Sequence, residues 1–332
     1  MDLRQRMELL EKLGHYMLSE EPGWQVAKEK ASRENGWFIP EFIERSTSSI
    51  ARHFLDRQCL EQLAEQYKIP EQPQRIHTVG IVMAGNIPLV GFHDLCCVFL
   101  AGHRQYIKLS SKDQVLCTHL IQQMTAWEPS IATKIQLTEF LKGCDAYIAT
   151  GSNQSAGYFQ QYFGRYPHII RKNRTAVAVL DGSEETEELE RLADDVHLYF
   201  GLGCRNVTKV FVPEHYDFLP LLEAFRHYAF LVDHHKYKHN YDYQLALLII
   251  NKKYYMTNGS VLLFEDPSPF APISRLHYEY YKDPEAVYES LKENKDIQCI
   301  VGKGRVNWGK SQEPSFTDYA DGVDTLQFLL SL

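Results

Sequence analysis

The chain has 332 residues, of which 44% are hydrophobic and 12% aromatic, so it holds enough apolar material for one or two domains with a sizeable core. A formal net charge of −8 with scattered lysines and arginines argues against nucleic acid as a partner. No apolar run reaches the about 18 residues of a membrane span, and the charged residues 1–18 lack a signal-peptide core. We therefore expect a soluble cytoplasmic protein.

Residues 1–70 are predicted to be helical, because apolar residues recur there at intervals of three and four, with a break near Gly36 and Pro40. From His77 onward, short apolar runs alternate with helix-length segments and with glycine or serine bends. This alternation indicates an α/β fold with open, mostly parallel sheets.

A second α/β domain is predicted after a boundary near residue 172. Its strands are expected to include 207–213 (VTKVFVP) and 243–251 (YQLALLIIN), two apolar runs of strand length. The predicted plan is a helical section plus a nucleotide-binding domain over 1–172, a catalytic domain over 173–310, and a C-terminal segment over 311–332. We expect that last segment to pack on the first domain or on a partner.

Three strand ends of the first domain carry small and polar residues. Asn86 follows the first strand, and the tetrapeptides KLSS (108–111) and ATGS (149–152) end the next two. Asn86 taken alone is better explained by a turn than by a donor that points into a cleft. Ligands of open α/β sheets bind outside the carboxyl ends of the strands, and hydroxyls beside a helix start suit phosphate. The three ends together therefore predict a nucleotide site, with Lys108 on ribose or phosphate oxygens.

The seven cysteines are irregularly spaced and odd in number, so we expect free thiols rather than disulfides or a zinc site. Six of them are interpreted as buried structural residues. Cys204 differs because it lies in the bend GLGCRN, directly before an apolar run. An exposed bend with Arg205 or oriented amides nearby would favour a nucleophilic thiolate, whereas a buried bend would need only a small residue.

The stretch 233–243 (DHHKYKHNYDY) brings three histidines together. It lacks the cysteines or the HExxH spacing of a zinc site, so we expect a solvated loop without a metal.

In this order, the segments resemble the aldehyde dehydrogenase superfamily, and more closely its acyl-CoA reductase branch, the family of the fatty-acid reductase component of bacterial bioluminescence. The resemblance covers roughly residues 35–332. Residues 83–94 (MAGNIPLVGFHD) match the position of the superfamily's oxyanion asparagine, which implies that Asn86 is the oxyanion donor. The long segment that begins at Thr175 resembles the stretch that ends in the catalytic cysteine, which implies that Cys204 is the nucleophile.

The resemblance also implies a nicotinamide cofactor. The segment IKLSSKD resembles the superfamily's VKPSE segment at the adenosine ribose, ATGSNQSAG resembles its FTGS segment at the pyrophosphate, and DPSPFAPISRL resembles its FGPV segment near the nicotinamide. The residues assigned to the cofactor on this basis are Lys108, Ser110, Ser111, Thr150, Gly151, Ser152 and Phe270.

Three departures from the superfamily pattern carry information. The general-base glutamate of the ELGGK-like motif is missing from 166–176 (YPHIIRKNRTA), where His168 is the candidate substitute. Because transfer to a coenzyme A thiol needs no such base, the missing glutamate favours acylating chemistry. Ser111 replaces the glutamate that grips the ribose hydroxyls, which favours NADPH and leaves NADH open. Ser268 replaces a nicotinamide-ribose glutamate, with Glu265 offset from that position.

The expected function is reduction of an acyl-CoA, in particular a fatty acyl-CoA, to the aldehyde by NADPH through a thioester on Cys204. The resemblance allows an acyl-protein synthetase or a second copy of the chain as partner. Two alternatives remain open: a cysteine hydrolase or thioesterase that uses His168 or His197, and a catalytically silent nucleotide-binding subunit.

Overall fold

The computed structural model describes residues 1–332. It divides into two compact units, the first comprising Met1–Asn173 with Pro314–Leu332 and the second comprising Arg174–Glu313. Each unit contains one sheet of mostly parallel strands, as predicted.

The first unit begins with four helices that bury apolar residues at helical spacing, and the break near Gly36 separates the second from the third, as predicted. These helices are α1 (Leu3–Met17), α2 (Pro22–Glu34), α3 (Pro40–Phe54) and α4 (Arg57–Gln66). The α/β part follows with β1 (Thr78–Val82), α5 (Phe92–Ala101), β2 (Arg104–Lys108), α6 (Val115–Trp127), a 3-10 helix (Pro129–Thr133), β3 (Ile135–Leu137), β4 (Ala146–Thr150), α7 (Asn153–Phe163) and β5 (His168–Arg171).

The five strands of the first unit form a parallel sheet in the order β3-β2-β1-β4-β5. The central strands are buried on both faces, as in other parallel sheets that carry helices on each side; Ile81 and Ile148 have no exposed surface. The strand order reverses at β1, because the chain moves outward through β2 and β3 and then returns to the other side as β4.

The C-terminal segment of the first unit holds a 3-10 helix (Ala320–Gly322) and α12 (Thr325–Leu330). The helix α12 packs on α5, with Leu326 and Leu329 buried. Asp324 at its start accepts a hydrogen bond from the Tyr67 hydroxyl at 2.7 Å. The apolar side chains of this short helix therefore join the core of the first unit.

The second unit contains a six-stranded sheet in the order β11-β6-β7-β10-β9-β8, parallel except for the β8–β9 pair. Its elements are β6 (Thr175–Val179), α8 (Thr186–His197), a 3-10 helix (Leu198–Gly201), β7 (Val207–Pro213), α9 (Leu219–Ala224), a 3-10 helix (Phe225–Asp233), α10 (His235–Ile250), β8 (Met256–Thr257), β9 (Leu262–Glu265), β10 (Arg275–Tyr281), α11 (Pro284–Lys292) and β11 (Ile297–Val301).

The prediction of a strand at 243–251 is wrong, because most of that run lies in the helix α10. A short continuous apolar run does not distinguish a strand from a buried helix. Here Tyr237, Tyr241, Gln244 and Leu248 are the buried residues, at the three- and four-residue spacing of a helix face. The helix is the longest in the chain at 16 residues, and neither it nor any other helix has the length and apolarity to cross a membrane.

Candidate active site

The three strand ends singled out in the sequence lie side by side in the first unit. Val82, the last residue of β1, pairs with Lys108 of β2 on one side and with Ala149 of β4 on the other. Since the strands are parallel, the residues that follow them share one edge of the sheet. This edge includes the point between β1 and β4 where the strand order reverses, the usual ligand position in such sheets.

The bends that follow β1 and β2 are in direct contact. The Met83 N–H donates to the Lys108 carbonyl at 3.0 Å. A Cβ placed on Gly85 would lie 2.6 Å from the Cβ and Oγ of Ser110, so only glycine permits this approach. The half-buried Asn86 and the serines of the KLSS segment are thereby held on adjoining bends.

Asp113, a residue that the sequence did not single out, fastens these two bends together. Its Oδ2 accepts a hydrogen bond from the N–H of Leu89 at 2.6 Å, and its Oδ1 is buried without a hydrogen-bond partner. Leu89 has φ of +55°, an uncommon conformation for leucine. Burial raises the pKa of Asp113 from its ordinary 3.8 to about 7.

The third strand end leads into the helix α7. Ser152 is its N-cap, and the Ser152 Oγ accepts a hydrogen bond from the Ser155 N–H at 3.2 Å. Behind this end lies the buried Arg171, which bonds both carboxylate oxygens of Asp94 at 2.7 and 2.9 Å and the Thr150 Oγ1 at 3.4 Å. A helix start with exposed small residues is suited to phosphate, and the ion pair behind it fixes the strand end.

Cys204 lies in the second unit, in a bend with unusual backbone geometry. After α8 ends at His197, Tyr199 and Phe200 have φ of +56° and +58°, and Gly201 has φ of +73°. Left-handed conformations of bulky residues cost about 1–3 kcal/mol each and persist only where the surroundings enforce them. The bend is therefore a constrained structure, and Cys204 within it is half-buried.

Asn206 holds this bend from within the core. Its side chain is fully buried, and its Oδ1 accepts a hydrogen bond from the Gly203 N–H at 2.7 Å. Its Nδ2 donates to three carbonyls at the end of α8 and the following turn, those of Asp195 (3.0 Å), Val196 (3.3 Å) and Leu198 (2.9 Å). One amide thus ties the residues before Cys204 to the helix end.

A second thiol lies near the bend. Cys299 of β11 is close enough to Cys204 and Arg205 for both to influence its pKa, and the Arg205 guanidinium hydrogen-bonds the Cys299 thiol. Burial raises the pKa of Cys299 to about 11. The sequence hypothesis paired Arg205 with Cys204, and it missed Cys299 because that residue is far away along the chain.

Phe270 lies in the second unit, in the irregular segment between β9 and β10. Ser268, which stands where the resemblance implied a glutamate, is engaged within its own turn: its Oγ accepts from the Phe270 N–H and donates to the Phe270 carbonyl, both at 3.2 Å. Glu265 is exposed at the end of β9.

Residues 39–220, more than half of the chain, match the family model described as acyl-CoA reductase (LuxC). The chain belongs to the acyl-CoA reductase family. It is therefore an oxidoreductase, as the resemblance implied. The comparison with curated proteins finds no match.

Solved aldehyde dehydrogenases share the fold of this acyl-CoA reductase family member. The chain is similar to aldehyde dehydrogenase 21 from Physcomitrella patens, solved in complex with the reaction product succinate, at 13% identity with a TM-score of 0.68, over 91% of this chain and 74% of that one. It is also similar to succinic semialdehyde dehydrogenase from Streptococcus pyogenes, solved with NADP+, at 12% identity with a TM-score of 0.66, over 90% and 76% of the two chains. At these identities, the likeness shows the fold.

Neither of the two histidines considered as bases in this family member follows one of the three strand ends. His168 pairs with Tyr147, three residues before the end of β4, so it lies about 10 Å below the edge that carries the strand ends. His197 is fully buried between Phe225 and Tyr228, and its Nδ1 donates to the Ala193 carbonyl while its Nε2 has no hydrogen-bond partner. Burial lowers the pKa of His197 to about 4.

The three histidines of residues 233–243 lie at the start of α10, so the expectation of a loop there is wrong. His234 is the N-cap and accepts from the Tyr237 N–H, and the rings of His235 and His239 are 6.4 Å apart on the first turns. The structure contains no group of three side chains arranged to bind a metal ion.

Proposed function

We propose that this chain reduces an acyl-CoA, in particular a fatty acyl-CoA, to the aldehyde with NADPH, through a thioester on Cys204. The observation that carries the proposal is the constrained bend in which the buried amide of Asn206, two residues after Cys204, holds the residues that precede this half-buried thiol. Membership of the acyl-CoA reductase family supports the substrate class. A strained bend fixed from the core is typical of a functional site rather than of a structural cysteine.

In the proposed reaction, the Cys204 thiolate attacks the thioester carbonyl of the acyl-CoA. The Asn86 amide and a backbone N–H near Cys204 donate to the oxyanion that develops, and each such donor typically contributes about 3 kcal/mol to a barrier in a water-poor site. The C–S bond to coenzyme A then breaks, the coenzyme A thiolate leaves, and the acyl group remains on Cys204.

The residues at the sheet edge fit a nicotinamide dinucleotide. The close contact of Gly85 with Ser110 holds the bends after β1 and β2 together, and Lys108, Ser110 and Ser111 supply an ammonium and hydroxyls for the adenosine ribose. Thr150, Gly151 and Ser152 offer hydroxyls and amides to the pyrophosphate, and Phe270 is assigned to the nicotinamide end. When bound, the dinucleotide supplies the hydride that converts the thioester to the aldehyde.

The preference for NADPH rests on Ser111. This residue is exposed and uncharged at the position where a glutamate would repel a 2′-phosphate, and Lys112 beside it is exposed as well. The related Streptococcus pyogenes enzyme was solved with NADP+.

Coenzyme A exchange, rather than hydrolysis, is supported by the missing glutamate in residues 166–176 and by the positions of the two candidate histidines. Residues 166–176 contain no carboxylate, His168 lies below the sheet edge, and neither ring nitrogen of His197 contacts Cys204. Release of an acid would need a group that activates water. We infer that the acyl group on Cys204 is either reduced by hydride or transferred to a thiol, and that it is not hydrolysed.

The test is to mix the protein with acyl-CoAs of several chain lengths and to follow NADPH absorbance. We expect turnover in the wild type and a loss of at least about a thousandfold in Cys204→Ala, with about a hundredfold loss in Asn86→Ala. Cys299→Ala is the matched control, since it removes the neighbouring thiol and should retain turnover.

The remaining outcomes separate the alternatives. Full turnover in Cys204→Ala overturns the proposal. Release of free acid without NADPH consumption would identify a hydrolase. Failure of every acyl-CoA to label Cys204, as judged by intact-protein mass spectrometry, would identify a silent subunit.

A further inference from the structure

The backbone directly before Phe270 is held by side chains in an unusual way. Each of the three carbonyls at positions 267–269 accepts a hydrogen bond from a different side chain of the neighbouring strands. The bonds run from Lys209 Nζ to the Pro267 carbonyl (2.8 Å), from His277 Nδ1 to the Ser268 carbonyl (3.0 Å) and from Thr208 Oγ1 to the Pro269 carbonyl (2.5 Å). We call the side chains of Thr208, Lys209 and His277 the carbonyl clamp.

Two members of the carbonyl clamp are almost completely buried. Lys209 and His277 are opposite each other in the register of β7 and β10, with only 2% and 3% of their surface exposed. The Glu279 carboxylate, 2.5 Å from the Lys209 Nζ, balances the buried ammonium. Burial lowers the pKa of His277, so the ring is neutral and its Nδ1 proton is directed to the Ser268 carbonyl.

The third member, Thr208, is part of a pair of hydroxyls. Because its own proton goes to the Pro269 carbonyl, Thr208 accepts in the 2.5 Å contact with the Thr175 Oγ1, whose single proton is shared between Thr208 and the Asn206 carbonyl at 3.2 Å. Thr175 belongs to β6 and is buried. Together with Thr175, the clamp therefore connects the 267–269 backbone to three adjacent strands of the sheet, β6, β7 and β10.

The clamp also connects this backbone to the nucleophile. Strand β7 begins at Val207, three residues after Cys204, and Thr208 and Lys209 are its second and third residues. The Cys204 bend, strand β7 and the 267–269 backbone all lie within the second unit. The strand that leaves the Cys204 bend is therefore the one that holds the segment ending in Phe270.

We propose that Thr208 and Lys209 are positioning residues for the hydride step, which fix Phe270 at a set distance from the acyl group on Cys204. The inference rests on the proposed function and adds two residues to it. They contact neither substrate nor cofactor and act through the backbone of 267–269. Misplacement of a reacting group by about 1 Å costs up to about a hundredfold in rate, so loss of one clamp bond should slow the hydride step selectively.

Thr208→Val is the test variant, and Thr175→Val is its matched control. Both replace one hydroxyl of the same pair with a methyl group, but only Thr208→Val removes the bond to the Pro269 carbonyl. Thr175→Val also removes the 3.2 Å contact of its hydroxyl with the Asn206 carbonyl, which keeps its backbone hydrogen bond from the Ala176 N–H. We expect Thr208→Val to lower the rate at which NADPH discharges the acyl-enzyme by about tenfold or more. Formation of the acyl-enzyme without NADPH, measured by intact-protein mass spectrometry, should change less than twofold in Thr208→Val.

A second pair of variants tests the inference if Thr208→Val fails to fold. Lys209→Met removes the bond to the Pro267 carbonyl, whereas Glu279→Gln retains it. We also expect Thr208→Val to have little further effect on discharge in a Phe270→Ala background, because both changes act on the same element.

Equal slowing of discharge by Thr208→Val and Thr175→Val would overturn the inference, as would equal slowing of acylation and discharge, since both outcomes indicate a general structural role. A wild-type protein that no acyl-CoA labels at Cys204 overturns the proposed function itself. If the wild type reduces acyl-CoA but the clamp variants discharge the acyl-enzyme at the same rate as their controls, the clamp inference is overturned and the proposed function stands.

Discussion

The Oδ1 of Asn206 accepts a hydrogen bond from the N–H of Gly203 at 2.7 Å, on the other side of Cys204 in the chain. The two residues enclose the candidate nucleophile in a bend closed by a buried amide. The same amide nitrogen is bonded to the end of α8. The position of the thiol is therefore set by the core of the second unit.

We expect Asn206→Ala to lower the free energy of unfolding by about 3 kcal/mol, because it leaves buried carbonyls without a donor. Acylation of Cys204 should fall about tenfold or more at a temperature where the variant is still fully folded. Denaturant unfolding and mass spectrometry measure the two effects. Asn251→Ala, which removes an exposed amide at the end of α10, should leave both within error; unchanged acylation in Asn206→Ala would contradict the role assigned to the bend.

Asp113 predicts a pH dependence of stability. Because burial raises its pKa from 3.8 to about 7, its contribution to stability is complete below pH 3.8 and is lost as the pH rises through about 7. Asn at this position stays neutral at every pH. We expect the free energy of unfolding of Asp113→Asn, relative to wild type, to rise by about 2–3 kcal/mol between pH 5 and pH 8.

Urea unfolding of both proteins at several pH values measures this difference. The other buried carboxyl with a raised pKa, Asp195 at about 6, is present in both proteins and cancels. Parallel stability curves for the two proteins would show that Asp113 does not titrate in this range.

A side chain at position 85 is expected to push apart the bends that follow β1 and β2. The Cβ of Gly85→Ala would lie 2.6 Å from Ser110, so the bends after β1 and β2 must separate. We expect NADPH binding, measured by fluorescence titration, to weaken at least about tenfold, a cost of about 1.4 kcal/mol. Gly157→Ala is the control: no atom lies within 4 Å of its added Cβ in α7, and it should stabilise the protein by about 0.5–1 kcal/mol.

The proposed preference for NADPH over NADH can be tested at Ser111. Ser111→Glu places a carboxylate where the 2′-phosphate is proposed to lie, so we expect the dissociation constant for NADPH to rise at least about tenfold while that for NADH changes little. Ser111→Gln has similar size without the charge and should retain the NADPH preference. If the Glu and Gln variants bind both nucleotides alike, the 2′-phosphate lies elsewhere.

Much of the fold could be predicted from the sequence, since strand and helix patterns are local. The helices before residue 70 and the strand ends near Asn86, Lys108 and Thr150 follow from periodicity and from bend residues. The strand prediction for 243–251 was wrong because the spacing of apolar residues in so short a segment does not exclude a helix. The buried tyrosines whose spacing indicates a helix precede this segment.

The sequence by itself determined the order of the segments, the family, and the residues to examine, with Cys204 on its glycine-flanked bend and Asn86 after its strand. Only the tertiary structure decided what holds them: Asn206 beneath the bend, Cys299 beside it, Asp113 between two loops, and the carbonyl clamp before Phe270. The physical reason is that these contacts are single hydrogen bonds and close approaches between side chains that are distant along the chain or outside any periodic pattern. Such contacts exist only after the sheets have brought their partners together.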